Sequence, residues 1–329
     1  MSKKFLAAIL CAVLLGITVS SATAGQITLK AGHVLAPDHP YNLGLIRLSE
    51  LVKERTNGEL IINVFPSSQL GGERELAEAC QMGTVDIALV TAPLASFDSN
   101  FYIFDIPALF TSKAHAYRFL DGPDGQAMMD GLAKKNIKGL AFWETGFFNI
   151  FDSKRPLNTP EDLKGLNIRT MENPAYIAFF AALGANPVPM AYGEIYTALQ
   201  NGTVDGTLIP IASIFTSKFH KVAPYISRTQ NWYCPTPLIM SLARWKRLPE
   251  NLQAVLQQSA NEARDYMRQI LTDSEEDQIK QMTEEGAKVI EVDKKLWFEC
   301  AGTDAVLKEL VPSKVNPALI EKVRALADK

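Results

Sequence analysis

From residue 26 onward the chain alternates strand-like and helix-like segments, and that alternation is the tightest restriction on what it can become. Gln26 to Ala31 reads as a strand. Asn42 to Arg55 carries apolar residues at helical spacing (Leu45, Leu48, Leu51, Val52) and stops at Asn57-Gly58. Leu60 to Phe65 is a second strand, Glu73 to Met82 a helix with Gly83 as its cap, and Val85 to Thr91 a third strand. A β-α-β-α-β order at this spacing predicts a largely parallel sheet covered by helices. The fold class is therefore α/β.

A second unit of the same kind follows. Thr159-Pro160-Glu161-Asp162 starts a short helix, with threonine as cap, proline in the first turn and acids at the positive end. Leu166 to Thr170 is a strand after Gly165. Asn173-Pro174 caps a helix that runs to about Leu183, and Tyr192 to Asn201 is helical again before Gly202. The stretch Gln81-Met82-Gly83-Thr84-Val85-Asp86 is echoed by Gln200-Asn201-Gly202-Thr203-Val204-Asp205. Good turn chemistry used twice would explain the echo; so would two similarly built domains. Leu248-Pro249 opens an amphipathic helix that can reach Glu285, roughly 50 Å at 1.5 Å per residue, long enough to lie across both domains. A break near Thr272-Asp273-Ser274 is the alternative.

The N-terminus reads as a secretory signal. Lys3 and Lys4 precede an apolar run from Phe5 to Val19, and Ala22-Thr23-Ala24 offers a small-x-small cleavage site. The run is short for a membrane span, so residues 1–24 are expected to be removed and the mature chain to start near Gly25 in the periplasm; an uncleaved anchor is the alternative. Losing Lys3 and Lys4 takes the net charge from −3 to −5 at pH 7. That balance, without any basic run, argues against nucleic acid as a partner. Cys80, Cys234 and Cys300 are far apart with no C-x-x-C spacing, which permits at most one disulfide and favours buried free thiols. His33, His39, His115 and His220 are scattered, so no metal site is expected, and no cofactor.

No dinucleotide-binding, phosphate-loop, nucleophile-elbow or zinc-protease motif occurs, and no catalytic residue is assigned. A secreted hydrolase using Glu73, Asp86 or Glu172 stays open as a rival, though no partner spacing supports it. Arg169 is the strongest binding candidate. It sits at the carboxyl end of a predicted strand, where open α/β sheets bind ligands, next to a helix start with free amides. An arginine there can grip a carboxylate through two parallel bonds; an ordinary strand-end ion pair fits the position equally. Phe142, Trp143, Phe147, Phe148 and Phe151 cluster before the second unit and Trp232-Tyr233 near its end, at the expected domain crossover.

The stretches Asp162-Leu163-Lys164-Gly165-Leu166-Asn167-Ile168-Arg169, Leu183-Gly184-Ala185-Asn186-Pro187-Val188-Pro189-Met190, Glu194 to Gln200 and Val204-Asp205-Gly206 resemble the solute receptors of tripartite ATP-independent periplasmic (TRAP) transporters, as do Ser68 to Glu75 and Ser153-Lys154-Arg155-Pro156. The resemblance runs in order along nearly the whole mature chain. It implies a two-domain hinged clamshell that closes on a small organic acid, catalyses nothing and delivers the acid to membrane permease subunits. The expected division is residues 25–146 plus about 235–274 in one domain, and about 147–234 plus 275–329 in the other, with a monomeric receptor.

The family's carboxylate-pairing arginine falls on Arg169, its pocket aromatic on Tyr192 and a polar contact on Asn173. Two departures bear on the ligand. Members often carry a second arginine after Gly-Phe, where this chain has Phe148, and many read Glu-Asn-Pro where this chain has Leu208-Ile209-Pro210. Both changes remove groups that would satisfy a second carboxylate or sugar hydroxyls. The expected ligand is a monocarboxylate with an apolar or aromatic body against Phe148, Ile209 and Trp232; four-carbon dicarboxylates and sugar acids are the second choice. Thr91, His33 and Glu73 complete the expected ligand contacts.

Overall fold

The computed structural model describes residues 25–327. Ten strands run through them: β1 (Ile27–Gly32), β2 (Leu60–Phe65), β3 (Ile87–Leu89), β4 (Ile137–Asp152), β5 (Asn167–Thr170), β6 (Asn186–Pro189), β7 (Gly206–Pro210), β8 (Tyr225–Ser227), β9 (Tyr233–Ser241) and β10 (Lys288–Ile290). β1 pairs in parallel with β2 and β3, as the alternation predicts. β5 does the same with β6 and β7. Each parallel trio is closed by an antiparallel strand, β9 against β3 and β4 against β7. β3 is shorter than expected because residues 83–86 are spent in the turn before it, which leaves Thr91 beyond the strand's end.

The internal echo is structural. Gly83 and Gly202 both have positive φ, +81° and +71°, the left-handed conformation glycine adopts at no steric cost. After each, two successive backbone amides donate to one carbonyl, Thr84 and Val85 to Ala79, Thr203 and Val204 to Ala198. Each junction then ends on an aspartate that accepts from a strand amide: Asp86 from Lys30 at 2.8 Å, Asp205 from Asn167 at 2.8 Å. Identical turn chemistry thus fastens each helix end to the first strand of its own half.

β4 joins the halves. Its residues from Ile137 to Phe147 pair with β9, and from Phe148 to Asp152 with β7. A β-bulge lies between Glu144 and Gly146, and Gly146 has φ +97°, so the strand is re-aimed where it changes partner. The strand is buried along almost its whole length, which accounts for its near-continuous apolar sequence. The aromatic cluster noted in the sequence is this one strand.

The long helix, Glu250–Glu284, has 35 residues and no break at Thr272-Asp273-Ser274. Arg55 pairs with its Glu262 at 2.6 Å, Trp143 Nε1 donates to its Ala260 carbonyl, and its Met282 lies in the core of the second half with Phe151 and Phe219. The strut therefore touches both halves. The last helix, Pro317–Ala325, departs from the expected assignment of 275–329 to the second half: His115 Nε2 donates to the carbonyl of Val323, and Lys322 pairs with Asp124. Cys80, Cys234 and Cys300 are free thiols, the first two buried. No helix among the described residues is long and apolar enough to cross a membrane. The signal-like residues 1–24 lie outside the described residues.

Candidate functional site

The carboxyl ends of β1, β3, β5 and β7 face a cavity of ≈ 350 Å³ between the two halves. The first half contributes Val34, Leu35, Tyr41, Glu73 and Thr91. The second contributes Arg169, Met171, Tyr192, Leu208, Ile209 and Ser213, and β4 adds Thr145 and Phe148. Parallel α/β sheets place their ligand crevices at this edge because strand ends and helix starts meet there.

Arg169 lies on β5 and is 4% exposed. Its Nε and Nη2 both donate to the carbonyl of Met190, at 3.0 and 2.8 Å. That pair of bonds fixes the guanidinium plane and leaves Nη1 without a protein acceptor among the described residues. No carboxylate among the described residues forms an ion pair with it; the strongest acidic influence on it is Glu73. Burial pulls its pKa down to about 10, opposed first by the carboxyl of Glu73 and then by Tyr192. The site thus holds a cation at some electrostatic cost, the condition in which an incoming anion is worth most.

Glu73 opens the helix Glu73–Met82 behind Gly72. Its Oε2 accepts from the Thr91 hydroxyl at 2.5 Å. Burial pushes its carboxyl up to about 7, against the pull of that hydrogen bond and of Arg169. Tyr192 bonds Ser217 at 2.8 Å, and burial raises its phenol to about 12. Phe148, Leu208, Ile209 and Met171 supply an apolar wall, so the positions where this chain departs from the family pattern do lie on the cavity.

Three expected contacts do not line it. Asn173 spends both ends of its amide elsewhere: Oδ1 accepts from Ala175 N at 2.9 Å to cap its helix, and Nδ2 donates to Asp105 at 2.7 Å. Trp232 is core, 1% exposed, packed 4.7 Å from Phe179 and 5.2 Å from Tyr176, with Nε1 on the Asp105 carbonyl. His33 is buried with both ring nitrogens occupied, Nδ1 by Leu35 N and Nε2 by Asn42; burial drops its pKa to about 4. Conversely Tyr41, Thr145, Met171, Leu208 and Ser213 line the cavity without being named as contacts. Only Leu208 left a trace, in the altered Glu-Asn-Pro position.

Several contacts cross between the halves. Arg74 pairs with Glu172 at 3.2 Å at the cavity's mouth, where both side chains are well exposed and the pair is worth little. His39 reaches Ser213 at 3.1 Å in the buried interior. Asp105 accepts from Asn173 and from the Tyr176 hydroxyl at 2.9 Å. The two halves of the clamshell are thus in contact at the cavity's mouth and in the buried interior.

Comparison with known proteins gives a consistent picture. The family model for bacterial extracellular solute-binding proteins, family 7, matches residues 31–304. The chain is 34% identical to the 2,3-diketo-L-gulonate-binding periplasmic protein of Escherichia coli over 86% of this chain and 87% of that one. It is 33% identical to the C4-dicarboxylate-binding periplasmic protein of Rhodobacter capsulatus over 99% and 96%. Among solved structures, a TRAP periplasmic solute-binding protein from Bordetella, with density assigned to pantoate, superposes with a TM-score of 0.87 at 33% identity, covering 92% of this chain and all of that one (100%).

Proposed function

This chain belongs to family 7 of the bacterial extracellular solute-binding proteins, and we propose that within it the protein is a periplasmic TRAP receptor for a small organic monocarboxylate with an apolar body. The observation that carries the reading is the Arg169 guanidinium. It is buried, held rigid by the Met190 carbonyl, and has one nitrogen left over in a cavity whose far wall is Phe148, Leu208 and Ile209. One such cation matches one carboxylate. A second carboxylate would meet Glu73, and the other cation on the cavity wall, Arg74, is exposed at the mouth and already paired with Glu172, so that carboxylate's desolvation would be poorly compensated. A body of branched or aromatic carbon would replace water along the apolar wall.

Binding works by population shift: the carboxylate docks on Arg169 in the open form, and contacts to both halves then favour the closed one. Closure excludes water and strengthens the charge pair. No bond in the ligand is made or broken, and the acid passes unchanged to the permease subunits. Residues 1–24 are removed on export in this reading. The polar trio Glu73, Thr91 and Ser213 supports a second reading, a hydroxylated sugar acid of the kind the E. coli relative's name indicates.

A thermal-shift panel separates the two. Pantoate and other branched or aromatic monocarboxylates should raise the melting temperature more than glucuronate or succinate. Stabilisation by succinate or glucuronate with none by the branched and aromatic acids overturns the monocarboxylate assignment. Recovery of the ligand chemically altered after incubation overturns the receptor reading in favour of a hydrolase.

A further inference from the structure

We infer that Ser213 is a ligand-binding hydrogen-bond donor whose direction is set from the opposite half of the protein by His39, so that the cavity selects acids bearing an acceptor oxygen on their apolar body. The inference rests on the receptor reading above and deepens it.

His39 is the N-cap of the helix Pro40–Arg55, and its Nδ1 accepts from the backbone N–H of Tyr41 at 3.0 Å. A ring nitrogen that accepts carries no proton, so a neutral imidazole must carry its hydrogen on Nε2. Burial, and then the neighbouring His33, drive the pKa of His39 down to about 3, which keeps the ring neutral at any physiological pH. Nε2 lies 3.1 Å from Ser213 Oγ. The imidazole therefore donates and the serine accepts.

The serine's own hydrogen then has to go elsewhere. Ser213 is 1% exposed and lines the cavity, and its hydroxyl faces two side chains, the His39 ring at 3.1 Å and the Tyr192 phenol. A buried hydroxyl that cannot donate is destabilising, and in the cavity an oxygen of a bound ligand can take that hydrogen. The protein's own acceptor for that hydrogen is the Tyr192 phenol, which is shared with Ser217 at 2.8 Å, and the ligand oxygen competes with it. Because His39 and Ser213 belong to different halves, 174 residues apart, the donor is oriented only when the clamshell closes. Discrimination is thereby tied to closure, and an acid without the oxygen leaves the serine only the phenol already shared with Ser217.

Asparagine at position 39 isolates the role of the ring. Its Oδ1 can take over the cap on Tyr41 N, since asparagine is a good N-cap, but it is too short to reach Ser213. Pantoate and 3,3-dimethylbutanoate share a carbon skeleton and differ in two hydroxyls. Both are titrated by calorimetry into the wild-type protein, Ser213→Ala, His39→Asn, Tyr192→Phe and Arg169→Ala. The wild type should prefer pantoate, and Ser213→Ala and His39→Asn should each shrink that preference about 3- to 10-fold, the worth of one neutral hydrogen bond, without weakening 3,3-dimethylbutanoate. Arg169→Ala should weaken both acids alike. An unchanged preference in Ser213→Ala overturns the inference, as does a wild type with no preference. A loss in Tyr192→Phe equal to that in Ser213→Ala, with His39→Asn unaffected, moves the donor to tyrosine and also overturns it. If neither acid binds the wild type, the monocarboxylate reading itself fails, and this inference with it.

Discussion

Replacing Arg169 by methionine should separate binding from stability. Burial lowers the arginine's pKa from 12.5 to about 10, so at neutral pH the fold carries a charged group at a cost of about 3 kcal/mol. Two hydrogen bonds to the Met190 carbonyl offset about 1–2 kcal/mol of this. Methionine keeps the length of the stem and gives up both the charge and the bonds. The unliganded protein should therefore change stability by no more than about 1–2 kcal/mol, on the stabilising side if at all. Affinity for the carboxylate should drop by about 2–5 kcal/mol, the range for truncating one partner of a buried charge pair, or about 30- to 5000-fold. Urea unfolding followed by tryptophan fluorescence reads the first quantity and calorimetry the second. A loss of more than about 3 kcal/mol in stability, with affinity changed only a few-fold, would mark Arg169 as a structural strut and refute the argument.

Two further perturbations test other parts of the site. Glu73 has its carboxyl raised from 4.5 to about 7 by burial, so its ionisation is disfavoured in the fold. The stability it contributes is intact below pH 4.5 and is lost as pH rises through 7. Discounted for its partial exposure, the loss is about 1–2 kcal/mol. Glu73→Gln should therefore narrow the gap between urea midpoints at pH 5 and pH 8, and parallel pH dependence in mutant and wild type would contradict this. Gly146→Ala should cost about 1–2 kcal/mol through its φ of +97° alone, because the new Cβ meets nothing nearer than Leu271 at 3.7 Å. A neutral substitution there would show that the bulge in β4 needs no glycine.

Much of this protein was legible from short stretches of chain. The Asn173 cap, the short helix starting after Thr159 and the glycine junctions at Gly83 and Gly202 appear where their sequences place them, because caps and turns are settled within four or five residues. The helix expected from Tyr192 to Asn201 is instead a 3₁₀ turn, Tyr192–Glu194, leading into Ile195–Gln200, a boundary of the kind local signals fix least well. Arg169 could be singled out because the end of a β-strand is visible in periodicity and the family motif supplies the rest.

Tertiary structure alone decided which side chains share the cavity. Trp232, Asn173 and His33 had the right chemistry and neighbourhood but are used up by Asp105, a helix start and Asn42. Ser213 had no signature at all. Nothing local marks a serine that receives its hydrogen bond from a histidine 174 residues earlier. The local sequence determines which segments are strands and helices and where each turns. The packing of β4 and the long helix determines which of their polar groups meet, since that depends on satisfying every buried donor and acceptor at once.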